Sequence, residues 1–298
     1  MAIDPKRLMR IATLASMTVA LTLIGAKAVA WLVTESVSML SSLVDSALDF
    51  VASLVTFLAV RQALTPADAD HRFGHGKAEA LAGLAQAGFI AASGGGLLLT
   101  VGDRLLHPHP VQHEAIGVAI SAFAVGLTMA LVAFQNLVVR RTGSLAIGAD
   151  RSHYTTDLVS NIAVGAALYL SGVLDQPLID AGMAALVAFY LMHGAWQVGR
   201  DSLDVLMDRE LPDAARERII DIVRRHPEIR DVHDLRTRSA GLTRFIQLHI
   251  EVDPDLALVR AHEIGDQVEA DIKRAFPDAE IILHVDPFGV PEPQTSFA

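Results

Sequence analysis

Two helical segments carry the side chains best suited to chemistry. One reads Ser41-Ser42-Leu43-Val44-Asp45-Ser46-Ala47-Leu48-Asp49, with carboxylates four residues apart. The other reads Asp150-Arg151-Ser152-His153-Tyr154-Thr155-Thr156-Asp157, with an imidazole and a carboxylate at the same interval. On a helix that interval puts both groups of a pair on one face, one turn apart. Together the pairs offer three carboxylates and one imidazole, a hard-to-borderline donor set that suits a tetrahedral divalent transition metal such as zinc, and also ferrous iron. The competing reading is four polar residues that snorkel or hydrogen-bond between helices. Two pairs at identical spacing favour the metal.

The elements that must position these groups are apolar. The chain has 298 residues, 52% of them hydrophobic and only 19% charged, with a mean hydropathy of +0.39. Soluble domains average about 25% charged residues. The shortage is local: the first 209 residues carry 29 charged side chains, and the last 89 carry as many. Six windows approach the ~20 apolar residues that cross a bilayer: Leu8–Val33, Val37–Ala63, Ala80–Val101, Ala115–Val138, Leu145–Val173 and Leu178–Gly199. Small residues such as Ser93-Gly94-Gly95-Gly96 suit close helix packing. Asp45, Asp49, His153 and Asp157 therefore fall inside lipid-spanning segments, where an ionisable group is costly and marks an ion or proton path. Ala26-Lys27-Ala28 mimics a signal-peptidase site, but the apolar stretch runs past it and five more spans follow. Lys27 reads as a residue that snorkels or pairs rather than one that carries substrate.

Lys6, Arg7 and Arg10 precede the first span, Arg61, Arg72 and Lys77 lie between the second and third, Arg140, Arg141 and Arg151 flank the turn from fourth to fifth, and Arg200 and Arg209 follow the sixth. The positive-inside rule then predicts both termini in the cytoplasm. A net charge of −10 argues against nucleic-acid binding. The absence of cysteine excludes disulfides, thiolate zinc sites and cysteine nucleophiles.

A polar loop, Asp68-Ala69-Asp70-His71-Arg72-Phe73-Gly74-His75-Gly76-Lys77, joins the second and third spans. Asp68, His71 and His75 converge if the segment turns helically, with Asp70 as a further ligand candidate. A solvated loop is the alternative. The tail predicts a helix over Pro212–His226, strands at Val232–Arg238 and Arg244–Asp253 around Ser239-Ala240-Gly241, a helix over Leu256–Phe276 and a strand over Ala279–Asp286. It holds His233, His249, His262 and His284, and Asp286 shares a strand face with His284. His226 reads as a helix-end residue and His193 as a packed, hydrogen-bonded one. His107, His109 and His113 lie in the loop after the third span, where an ordinary interfacial loop is favoured over a weak metal site.

With six spans, two paired motifs, the Asp68–His75 loop and a histidine-bearing tail in this order, the chain resembles the cation diffusion facilitators along essentially its whole length. It is most similar to the bacterial zinc and ferrous-iron efflux subgroup. The resemblance implies an α-helical membrane domain over residues 1–209, a cytoplasmic α+β ferredoxin-like (metallochaperone-like, αββαβ) domain over 210–290 and a short tail over 291–298. It implies a transport site at Asp45, Asp49, His153 and Asp157 and a second metal at Asp68, His71 and His75. It further implies a binuclear site at a homodimer interface formed by His233, His249, His262, His284 and Asp286. The function implied is proton-coupled efflux of a divalent cation, zinc first and ferrous iron, cadmium or manganese after it, across the bacterial inner membrane, with zinc also structural in the tail. Because metal ligands must be deprotonated, and an ordinary imidazole titrates near about pH 6.5, His153, Asp157 and Asp49 are the candidate proton carriers. A membrane-anchored metal sensor without transport is the alternative. A metalloenzyme is disfavoured by the lack of His-Glu-x-x-His, and a passive channel by a closed set of strong ligands.

Overall fold

The computed structural model describes residues 4–35, 37–106, 115–174 and 178–290. The chain forms two compact units, Met1–Leu206 and Met207–Ala298. His107, His109 and His113, and the segment after residue 290, lie outside the described residues.

The first unit is a bundle of six helices: α1 (Pro5–Thr34), α2 (Val37–Ala63), α3 (Ala78–Leu106), α4 (Ala115–Thr142), α5 (Leu145–Leu174) and α6 (Leu178–Leu206). Each expected span falls within one of them, and most helices run a few residues further because polar ends extend past the apolar stretch. Asp4 accepts the Lys6 amide at 3.1 Å and Pro5 occupies the first turn, where its missing N–H costs nothing. Between α4 and α5 the break is a single reversal at Gly143, whose φ of 66° lies in the left-handed region that a side chain disfavours. Among the described residues, four helical stretches are long and apolar enough to cross a membrane: Pro5–Thr34, Met39–Ala63, Ala78–Leu99 and Ala119–Thr142. α5 and α6 are as long and also carry charged residues. α5 carries Asp150, Arg151 and Asp157, and α6 carries Arg200, Asp201 and Asp204. Leu32 is 70% exposed and Leu99 79%. Such outward apolar side chains on a long apolar helix suit hydrocarbon as solvent.

The second unit runs α7 (Asp213–Arg224), β1 (Ile229–Ala240), β2 (Thr243–Val252), α8 (Leu258–Ala275) and β3 (Ala279–Pro287), the αββαβ order expected. The sheet order is β1-β2-β3, with β1 and β2 antiparallel and β2 and β3 parallel. Ile246, Leu248, Ile250 and Val252 point to one face of β2 and join Ile219 and Val223 of α7 and Ile264, Val268 and Ile272 of α8 in a core. Each such burial contributes about 1.5–3 kcal/mol. α8 approaches β3 closely at Gly265, where a Cβ would sit 3.3 Å from Leu283 Cδ2. β1 starts three residues earlier than predicted, and its register with β2 shifts after His233. There Asp234 adopts φ 50°, and Arg236 donates to both its carboxylate oxygens at 3.1 and 2.9 Å.

Because helices cover the even-numbered face of β2, alternation puts its odd residues on the other. That face carries two rows across three strands. His233 pairs with His249 and His249 with His284; beside them, Asp231 pairs with Glu251 and Glu251 with Asp286.

Candidate metal centres

α5 is held where it starts. Glu79 of α3 is 2% exposed; its Oε2 accepts Ser144 Oγ at 2.5 Å and the Ala146 amide at 3.2 Å, capping a helix to which it does not belong. Further along, Asp150 is 1% exposed. Its Oδ2 accepts Ser16 Oγ of α1 at 2.5 Å and Gln135 Nε2 of α4 at 2.7 Å, and its Oδ1 accepts Gln86 Nε2 of α3 at 3.3 Å. Gln86 Nε2 also reaches Ala52 O and Thr56 Oγ1 of α2. Five helices thus meet through one buried polar network.

One turn beyond Asp150, His153 Nε2 lies 3.3 Å from Asp49 Oδ1 and 3.6 Å from Asp157 Oδ2. Asp49, His153 and Asp157 each present a ligand atom within 4.8 Å of the others. His153 Nδ1 and Asp157 Oδ2 are buried with no hydrogen-bond partner among the described residues. Buried polar atoms left unpaired normally have an unseen partner. Two oxygens and an imidazole nitrogen converging on one point fit a divalent cation. The predicted fourth ligand does not join them. Asp45 is exposed and outside the cluster. Tyr154 beside His153 is 2% exposed and its hydroxyl lies 2.8 Å from Ser53 Oγ, stitching α5 to α2 next to the ligands.

In the loop, Asp68, His71 and His75 also converge within 4.8 Å, although not by a helical turn. Asp68 Oδ1 accepts the amides of His71 at 2.7 Å and Asp70 at 3.0 Å, a turn built by the side chain itself. A second turn, closed by the Gly74 amide on His71 O at 2.9 Å, brings His75 Nε2 to 3.3 Å from Asp68 Oδ2. The His71 amide first, and the Asp70 amide with it, holds the Asp68 carboxyl below the usual carboxylate range. His75 Nδ1 is buried without a partner. Asp70 contributes its amide, and its carboxylate is not in the cluster.

On the polar face of the sheet, His233, His249 and Asp286 form a third group within 4.8 Å. Asp286 is 6% exposed; its Oδ2 lies 2.8 Å from His249 Nδ1 and its Oδ1 2.9 Å from His284 Nε2. His284 therefore attaches to the group through Asp286. Glu251, unflagged by sequence, approaches His233 Nδ1 at 3.4 Å. His262 is not brought in: it sits on α8, 77% exposed, 3.6 Å from Asp266. His226 Nε2 lies 3.2 Å from Asp271 at the end of α7. His193 is exposed rather than packed, and bonds Gln197 one turn along α6.

Two family profiles match the chain: the cation efflux transmembrane domain over residues 13–207 and the cytoplasmic domain of cation efflux proteins over residues 211–288. The chain belongs to the cation efflux family, the cation diffusion facilitators. It is 47% identical over 286 residues to the cation-efflux pump FieF of Shewanella oneidensis, covering 96% of each chain. It is 46% identical over 292 residues to FieF of Klebsiella pneumoniae, covering 98% of this chain and 97% of that one. Over 26% of its length it is similar to the metal-bound C-terminal domain of the CzcD transporter from Thermotoga maritima, at 29% identity, 93% of that chain and a TM-score of 0.26.

Membership in the cation efflux family makes this a membrane transporter of metal cations, not an enzyme. Sequence reasoning singled out the residues that converge and missed the buried groups that hold α5: Glu79, Gln86, Gln135, Ser16 and Asp150. The signal for Asp150 was available, since it precedes His153 by three residues and so shares the face of the His153–Asp157 pair.

Proposed function

We propose that this chain exports a divalent cation, zinc foremost, in exchange for protons, as a homodimer in the bacterial inner membrane with both termini in the cytoplasm. The observation that carries the proposal is the convergence of Asp49, His153 and Asp157 within 4.8 Å, on two helices of an apolar bundle. A helix-embedded set of two carboxylates and an imidazole has no reason to exist in lipid unless a cation offsets its charge. Asp45, one turn along α2, is the ligand that joins when the helices shift. Binding requires deprotonated ligands, so cation and protons compete for the same atoms and exchange is built into the site. The donor set also accepts ferrous iron, cadmium and manganese.

Asp68, His71 and His75 are proposed to hold a second cation in the loop. A third site, with zinc as its resident metal, is proposed at His233, His249 and Asp286, with His284 sharing Asp286. Imidazole nitrogen and carboxylate oxygen are the donors zinc takes, and zinc there would cross-link β1, β2 and β3. His262, carried on the helical side, stays outside this set within one chain. The orientation rests on the lysine and arginine bias at the α2–α3, α4–α5 and post-α6 ends.

Purified protein in liposomes, under an imposed pH gradient, tests the proposal with one metal at a time. Cation flux that follows the gradient and reverses with it is expected, fastest for zinc. Binding without flux would make the protein a membrane-anchored sensor instead.

A further inference from the structure

Lys27 does not snorkel to a helix end. Its Nζ donates to Ser46 Oγ at 2.6 Å and to Ser42 O at 3.1 Å, tying α1 to α2 between the positions of Asp45 and Asp49 and the start of α2. A cavity beside the ligands is lined by Lys27, Ser42, Ser46, Asp49, Tyr154 and Asp157. Its α4 wall is Ser121 and Thr128, in the first half of that helix. The cavity therefore lies on the α1–α2 turn side of the cluster, the side that the charge bias assigns to the exterior. A lysine charge in a bundle of apolar helices costs several kcal/mol unless compensated. Here two hydrogen bonds hold the ammonium, and Asp49 and Asp157 line the same cavity. An ammonium that needs only packing could have been replaced by any hydrogen-bonding group; one on the wall of a cavity that two carboxylates, Asp49 and Asp157, also line acts by its charge.

We propose that Lys27 is a tethered counter-cation of the transport site. With a divalent cation bound, the ion and Lys27 together balance the three carboxylates. When the cation leaves toward the α1–α2 side, the ammonium remains and offsets part of the charge left behind. Lys27 thereby weakens the hold of the site on its cargo and speeds release on that side. This inference rests on the transport-site reading above. It adds a residue that never touches the cargo and acts through the field at its ligands.

The test is zinc binding and proton-driven zinc flux in the full chain, in an Asp68→Ala, His249→Ala background that leaves the transport site as the one titrated. Lys27→Arg keeps the charge; Lys27→Gln keeps a donor for Ser42 and Ser46 without it; Lys27→Met keeps neither. Removing one charge at this range in a low-dielectric setting changes affinity by about tenfold. Gln and Met are therefore both expected to lower Kd and KM about tenfold and to lower kcat, with Arg close to the parent. A Gln variant that matches the parent, or Gln and Met variants that bind zinc more weakly, would overturn the proposal. Asp157→Ala in the same background separates the two readings: if it abolishes zinc binding while Lys27→Gln changes nothing, Lys27 alone is misassigned; if Asp157→Ala binds zinc like the parent, the transport site and this inference fall together.

Discussion

Asp150 of α5 takes the Ser16 hydroxyl of α1 at 2.5 Å, one turn before His153. This bond and those from Gln135 and Gln86 fasten the ligand-bearing helix to three others. His153 and Asp157 are thus carried on a helix whose position is set by a separate, buried carboxylate. Within this network both Asp150 oxygens are paired, while Gln86 Oε1 and Gln135 Oε1 are buried with no hydrogen-bond partner among the described residues.

A double-mutant cycle measures that fastening. Asp150→Ala leaves the Ser16 hydroxyl without its acceptor and Gln135 Nε2 with Ser16 Oγ alone, and is expected to destabilise the protein in detergent by about 1–3 kcal/mol. Ser16→Ala should cost much less in the Asp150→Ala background than alone. Fully additive losses would mean that the two residues do not act together.

The Asp68 turn has a pH signature. Its carboxyl is held below the usual range because the His71 and Asp70 amides bond the ionised form. A depressed carboxyl stabilises the turn fully above its unfolded value and loses that contribution only as pH falls through the folded one. The 13C shift of the Asp68 carboxyl should therefore titrate with a midpoint below the ordinary aspartate value of about 3.9. A midpoint at or above pH 4 contradicts the turn.

In the tail, His249 and His226 sit near carboxylates for different reasons. His249 lies in a row of histidines beside buried Asp286, whereas His226 meets Asp271 at a helix end. His249→Ala should lower zinc bound per chain while the protein stays folded, and His226→Ala should leave the count unchanged. Equal counts for both variants would remove the site from the sheet.

Much of this was legible in sequence because the membrane makes charge conspicuous. Asp49, His153 and Asp157 stood out as ionisable groups in apolar windows, and the spans themselves follow from length and hydropathy. Spacing along one helix also showed which pairs share a face. It did not show how α2 and α5 are set along each other, and in this structure Asp45 lies outside the group that Asp49, His153 and Asp157 form. Alternation places His284 and Asp286 on one strand face, but nothing local says that α8, which carries His262, covers the other face. Asp68, His71 and His75 were grouped correctly from offsets of three and four, yet an aspartate turn, not a helix, brings them together. Glu79, Gln86 and Gln135 escaped notice because each partner lies on another helix, 65, 64 and 15 residues away.

The account stands or falls on the intramembrane cluster. Zinc uptake into proteoliposomes under a fixed pH gradient, compared for the parent, Asp49→Ala and Asp157→Ala at matched protein density, tests it most directly. Each substitution removes one of the carboxylates that face His153 Nε2 and is expected to reduce gradient-driven flux to the level of empty liposomes. Parent-rate transport by both variants would contradict it.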